Sequence, residues 1–306
     1  MCNVRACGRH FKMGKGEALP PLLIANCTLL IENNQSCFFE ETDMIDSQRC
    51  ITSVGPTVAA LMGAPYRETT DAPHEELLSL AAEKADGTID RAVIYNPDAV
   101  AWWLYGKYPE KFLKAGESSD LALRLTSVMP SVTPVCFASM YTGVQPAVHG
   151  IQKYEKPVLA QETLFDAFLR AGKTCAIVST AGDSISKIFL DRQMDYFIYP
   201  TVTAVNFKAL SLIKKNAYDL IVIYNGNYDS RMHAKGPESA YALGALDRNL
   251  AFYRKMVATI QKSCGSQHVF YGFCPDHGCH LIDGGRGSHG LDMEEDMNVV
   301  HFYGVT

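Results

Sequence analysis

A chain of 306 residues, 47% hydrophobic and 20% charged, suffices for one large α/β domain or two small ones with a real core. A net charge of −5 and a pI near 6.0 exclude a global basic field of the kind that recruits a nucleic-acid polymer. The ten cysteines contain no CxxC pair, a usage that fits reduced thiols and a cytoplasmic setting better than a secreted disulfide scaffold.

At the start of the chain, Arg5, Arg9, Lys12 and Lys15 precede an apolar run over residues 19–31, an arrangement that imitates a secretory leader. Glu17 in the flank, Pro20-Pro21 at the head of the run and Glu32-Asn33-Asn34-Gln35 behind it argue against one. The run is also too short to span a bilayer, so it reads as a buried hairpin or strand, and no membrane partner is expected. Residues 1–60 are either an N-terminal appendage or the first part of the core, and 61–306 form the main domain.

Residues 57–62 and 73–85 predict helices, the second with Leu77, Leu78 and Leu80 on its apolar side. From Arg91 the pattern sharpens. Buried strands are predicted at 92–95, 175–178, 220–224, 268–273 and 299–303, and helices at 137–141, 163–171, 205–214 and 237–262. Continuous apolar strands alternating with helices predict an α/β fold: a mostly parallel central sheet with helices on both faces.

In such sheets, ligands bind beyond the carboxyl ends of the strands. The strand at 92–95 ends in Asn96-Pro97-Asp98. The strand at 220–224 runs out into Asp229 and His233, whose four-residue offset places both on one face if the segment is helical. The strand at 268–273 ends in Asp276-His277-Gly278, and a Gly-rich loop then carries His289. Each piece has a bland alternative: an N-cap aspartate, a turn, a solvated histidine. Together they put three His and three Asp near strand ends, donors suited to zinc, with manganese or iron next. Six ligands exceed the needs of one catalytic zinc but suit two ions roughly 3.5–4 Å apart. In the hydroxyl-rich segment 127–143, Thr133 is either the N-cap of the following helix or a nucleophile with its hydroxyl activated by metal.

At these residues the chain resembles the alkaline phosphatase superfamily, in its type I phosphodiesterase/nucleotide pyrophosphatase branch. Thr133 stands nine residues before Thr142-Gly143, and Pro146 and His149-Gly150-Ile151 follow, as in the family's nucleophile block. Asp229, His233, Gly236 and Pro237 match a second block, Pro275-Asp276-His277-Gly278 a third and Gly287-Ser288-His289-Gly290 a fourth. The resemblance covers residues 91–303 and implies an alkaline-phosphatase-like catalytic domain over 61–306. It further implies that Asp229, His233 and His289 hold one ion, while Asp98, Asp276, His277 and Thr133 hold the other. Thr133 would be the catalytic nucleophile, phosphorylated in passing.

The chain departs from the pattern in three places. Asp98 precedes Ala99 where the family usually has Gly, and Pro134 comes one place early. Tyr154, flanked by Lys153 and Lys156, stands where nucleotide pyrophosphatases carry a phosphate-binding Asn. Lys153, Tyr154 and Lys156 are therefore the candidate substrate-binding residues, with a solvated loop as their bland alternative. The expected function is a metal-dependent phosphodiesterase or phosphatase acting on a small-molecule phosphate ester with two divalent ions, zinc before manganese. A phosphomutase of the same superfamily and a non-catalytic metal-binding protein are the alternatives.

Overall fold

The strand Arg91–Pro97 (β1) is buried along its whole length, and its alternate residues enter two different apolar clusters. Ala92 and Ile94 face one, Val93 and Tyr95 the other. That is the signature of a strand in the middle of a sheet covered on both faces. The computed structural model describes residues 49–66 and 71–306. The apolar run at 19–31 and Cys2, Cys7, Cys27 and Cys37 lie outside the described residues.

The chain enters through a 3-10 turn, Ile51–Ser53, and helix α1, Val54–Leu61, whose Val54, Val58 and Leu61 are buried in the first cluster. Helix α2, Glu75–Ala85, buries Leu77, Ala81 and Ala85 there as well. After β1 come α3, Trp102–Lys107, and α4, Pro109–Gly116, then strand β2, Leu121–Thr126. Helix α5, Thr133–Thr142, is buried at every position and leads into α6, Pro146–His149. Helix α7, Leu164–Arg170, opens with a capping box: the Thr163 hydroxyl accepts from the Asp166 N–H, and the Asp166 carboxylate accepts from the Thr163 N–H. Then follow β3, Cys175–Thr180; α8, Ile185–Ile188; β4, Asp195–Tyr199; α9, Val202–Lys214; and β5, Leu220–Asn225. The last third holds α10, Asn227–Lys235; α11, Ala240–Ser263; β6, Val269–Phe273; a small hairpin of β7, His280–Ile282, and β8, Arg286–Ser288; α12, Glu294–Met297; and β9, Asn298–Val305.

Seven strands form the main sheet in the order β2-β9-β6-β1-β5-β3-β4. The run from β6 to β4 is parallel, and β9 is antiparallel to both of its neighbours. The expectation of a mostly parallel, doubly covered sheet agrees with this. Two strands of this sheet escape the sequence pattern. Strand β4 lies on the sheet edge with Asp195 and Ile198 exposed and its other residues half-buried, and β2 carries Arg124 within a half-buried segment, so neither has the full burial of a central strand. No helix among the described residues is long and apolar enough to cross a membrane.

The sheet order explains why distant residues meet. Strands β6, β1 and β5 are side by side, so the segments leaving their carboxyl ends converge on one place.

Candidate metal centre

The chain leaving β1 is bent sharply. The Asp98 N–H still donates to the Asn225 carbonyl at 3.0 Å, extending the β1–β5 ladder, and Ala99 then takes a left-handed backbone at φ 65°. This conformation costs an L-residue roughly 1–2 kcal/mol, and glycine avoids that cost. Ala99 accepts the turn that a glycine would make, and its N–H reaches Asp276 Oδ1 at 3.4 Å.

After β6, the chain is pressed against its neighbours. A Cβ at Gly278 would lie 1.9 Å from the Glu295 carbonyl, so only glycine lets the backbone pass there. The Gly278 and Cys279 N–H groups donate to the Asp296 and Glu295 carbonyls at 2.7 and 2.9 Å, which fixes Asp276 and His277 from behind. Ser127 adds a hydroxyl donated to the Asp276 carbonyl at 2.7 Å.

The segment after β5 is helical, as the spacing of Asp229 and His233 requires if both are to face one way. Their side chains lie one turn apart on α10, with His233 Nε2 3.2 Å from Asp229 Oδ1. His289, arriving behind the β7–β8 hairpin, places Nε2 3.4 Å from Asp229 Oδ1 and 3.0 Å from His233 Nε2. A second triad lies deeper: His277 Nε2 is 3.3 Å from Asp98 Oδ1 and 3.4 Å from Asp276 Oδ2. The two triads abut, for the His277 and His289 rings stack with centroids 4.0 Å apart. Thr133 is the first residue of α5, not its cap; Val132 occupies the cap position. Its hydroxyl lies 3.3 Å from both Asp98 Oδ2 and His277 Nε2. The N-cap alternative for Thr133 therefore falls away.

The donors fit a cation. In all three histidines, Nδ1 faces a backbone carbonyl: His233 that of Gly287 at 3.0 Å, His277 that of Gly278 at 2.9 Å, His289 that of Ser131 at 2.9 Å. A carbonyl can only accept, so Nδ1 carries a proton and each ring, when neutral, presents an Nε2 lone pair to the centre. Asp98 Oδ1, Asp229 Oδ1 and Asp276 Oδ2 are buried without a hydrogen-bond partner. Such orphaned acceptors are costly unless a cation satisfies them. Asp98, Asp276 and His277 are essentially inaccessible, whereas the His233 side chain is 43% exposed.

The ionisation of the triads shows the same unmet demand for positive charge. Burial, reinforced by the neighbouring Asp229 charge, pushes the Asp98 carboxyl up to about 7. Burial and Asp98 raise Asp276 well above the carboxylate range, and burial with the adjacent His289 drives His277 down. In the outer triad, burial disfavours the Asp229 carboxylate, but the adjacent His233 and His289 outweigh it and hold Asp229 low. The Asp229 carboxylate beside it in turn raises His233 to about 9. To act as metal ligands Asp98 and His233 must shed protons, so uptake of a divalent cation should release them, and affinity should climb as pH rises through roughly 6 to 9. Calorimetry in buffers of different ionisation enthalpy measures this release; an enthalpy independent of buffer at pH 6.5 would refute it.

The other candidates have different surroundings. Tyr154 is 62% exposed, with Lys156 Nζ 5.2 Å from its ring centroid. Lys156 also donates to the Gly182 carbonyl at 3.0 Å, and Lys153 pairs with Glu155 at 3.4 Å. Arg231, two residues from Asp229 and so about 200° round the helix, lies over the Tyr241 ring at 4.8 Å, on the far side of α10 from the ligands. His149 Nδ1 accepts from the Ile151 N–H, so Nε2 donates to Ser139 Oγ at 2.8 Å, and His280 pairs with buried Asp296 at 2.7 Å; both are structural. Trp103 donates to the Cys279 carbonyl at 2.8 Å as part of the wall behind the site. Cys136, Cys274 and Cys279 are buried thiols beside the triads but belong to neither. Sequence reading missed Tyr224, whose hydroxyl donates to Asp98 Oδ2.

No family model matches the sequence, and no curated protein matches it. Solved structures do. Murine ectonucleotide pyrophosphatase/phosphodiesterase 5 superposes with a TM-score of 0.50 at 15% identity, over 63% of this chain and 58% of that one. Phosphonoacetate hydrolase from Sinorhizobium meliloti, in complex with phosphonoformate, gives 0.46 at 17% identity over 62% and 56% of the two chains. A 2-O GAG sulfatase gives 0.48 at 11% identity over 71% and 64%. The chain thus spans little more than half the length of the murine protein. At these identities the likeness is one of fold, and the fold is alkaline-phosphatase-like.

Proposed function

We propose that this chain is a two-metal-dependent hydrolase of small phosphate esters, with Thr133 as its nucleophile. One observation carries the reading: two triads of lone-pair donors abut, the inner one fully buried, and the Thr133 hydroxyl lies 3.3 Å from two members of that inner triad. Asp229, His233 and His289 would hold one ion, and Asp98, Asp276 and His277 with Thr133 the other. Bound divalent cations, zinc by preference, would supply Lewis acidity and offset charge on the phosphoryl oxygens.

The residues divide the remaining work. Asp98 Oδ2 and His277 Nε2 flank the Thr133 hydroxyl and orient it. Thr133 Oγ would give up its proton to water and bond to phosphorus in line with the leaving oxygen. The bond from phosphorus to that oxygen breaks, and its electron pair departs with the alcohol, which takes a proton. Water then attacks the phosphothreonine, restoring the threonine hydroxyl and releasing the phosphate. The start of α5 lies beside the reacting group, where backbone N–H groups favour an anion. The free thiols among the described residues agree with a cytoplasmic setting.

The test is an activity matrix of zinc-, manganese- and magnesium-loaded protein against p-nitrophenyl phosphate and its bis ester. Turnover of at least one ester, lost on chelation and regained with zinc, is expected. A protein that binds two zinc ions but turns over neither ester would be a binding protein. Transfer of the phosphoryl group to an added alcohol in preference to water would make it a mutase.

A further inference from the structure

We infer that Tyr224 is the positioning residue of the inner triad: its hydroxyl fixes the rotation of the Asp98 carboxylate so that one oxygen is left for a cation. The inference rests on the two-metal reading above and concerns a residue that reading leaves unused.

The register of the sheet makes the contact possible. Tyr224 of β5 lies beside Asn96 of β1, so their side chains share a face, and Asp98 lies two residues further along that face. Two strand residues span about 6.6 Å, close to the reach of a tyrosine side chain lying along the sheet. The ring leans forward, and Gly226 clears its way: a Cβ at 226 would meet the Tyr224 hydroxyl at 2.8 Å and Cε1 at 3.3 Å. Phe137 closes against it edge-on with centroids 5.7 Å apart, and the ring is 5% exposed.

The consequence is a division of labour between the two oxygens of Asp98. Oδ2 accepts from Tyr224 and from Thr133, while Oδ1 has no hydrogen-bond partner and faces His277 Nε2 at 3.3 Å. A carboxylate free to rotate would present either oxygen or both. Held by Tyr224, it offers one oxygen to the cation and keeps the other for the nucleophile. Groups that orient metal ligands in this way change affinity by roughly 10–100-fold when removed.

The experiment compares Tyr224→Phe with Tyr141→Phe, both in full-length protein. Tyr141 is another buried tyrosine of the same core, and its hydroxyl donates to Asn96 Oδ1 at 2.6 Å, not to a candidate ligand. Zinc is titrated against a chromophoric chelator, and cobalt-loaded protein is followed by its visible absorption. Tyr224→Phe should weaken one of two binding classes about 10–100-fold, leave the other unchanged and alter the cobalt spectrum. Tyr141→Phe should leave both classes alone even if it lowers the melting temperature. Gly226→Ala, which keeps the hydroxyl but drives it aside, should reproduce the Tyr224→Phe result should that variant fold poorly. Two unaltered classes in Tyr224→Phe, or equal weakening in both tyrosine variants, overturn the inference while leaving the two-metal reading intact. A wild-type protein that takes up no zinc overturns both.

Discussion

Thr133→Ala should lower turnover of the best ester substrate by about 10³-fold or more while the protein still folds and still binds two zinc ions. The separation follows from where the residue sits. Thr133 contributes a hydroxyl to the inner triad, but Asp98, Asp276 and His277 are positioned by other contacts: the Tyr224 hydroxyl, the Ala99 N–H and the Gly278 carbonyl. As first residue of α5 it supplies no side-chain cap, so its loss leaves the helix end as it was. The deletion removes one hydroxyl, 3.3 Å from each of two groups that a cation would satisfy in any case. Burst kinetics with wild-type protein and trapping of a phosphothreonine at residue 133 measure the same step directly. Full activity in Thr133→Ala would show that water attacks phosphorus without a covalent intermediate.

Asp98→Asn should have opposite effects on stability with and without metal. In the metal-free protein, burial and Asp229 raise the Asp98 carboxyl to about 7, far above an unfolded aspartate. A raised folded pKa means stability that is present at low pH and lost as pH rises through about 7. An asparagine carries no charge and escapes this loss. Its carbonyl can accept from Tyr224 and Thr133 as Oδ2 does, and its amide can donate to His277 Nε2, which stands 3.3 Å from Oδ1. Metal-free Asp98→Asn at pH 8 should therefore be more stable than wild type by up to about 4 kcal/mol, a rise of several degrees in Tm. With zinc the order reverses, because an amide is a poor ligand and the inner triad loses its binding energy. Activity should fall at least about 100-fold. Thermal melts of both proteins at pH 5 and pH 8, with and without zinc, test each sign. A metal-free variant less stable than wild type at pH 8 would show that the inner carboxylates are neutralised within the chain itself.

Much of the fold is legible in the order of residues. The apolar runs at β1, β3, β5 and β6 are strands because each is buried on both faces, and a doubly buried strand has to be apolar throughout. The polar groups behind three of them mark the open end of the sheet. The edge strand β4, with Asp195 and Ile198 exposed and Tyr196, Phe197 and Tyr199 half-buried, has neither the burial of a central strand nor a strict alternation. The hairpin of β7 and β8, three residues a side, is too short to leave a pattern.

By itself, the sequence determined the kinds of donor and their place at strand ends: Asp98, Asp229, His233, Asp276, His277 and His289, with Thr133 opening a helix. Spacing along a chain carries that much, because a residue's distance from the end of a strand or turn is a local property. Spacing and strand-end position leave open which donors share a triad; the family resemblance implies the partition, and the tertiary structure brings the members together because β6, β1 and β5 are neighbours in the sheet. It also decided the tautomer of each of the three triad histidines, through carbonyls of Gly287, Gly278 and Ser131. And it brought Tyr224 to Asp98 from 126 residues away, a contact set by strand register and by the room left at Gly226.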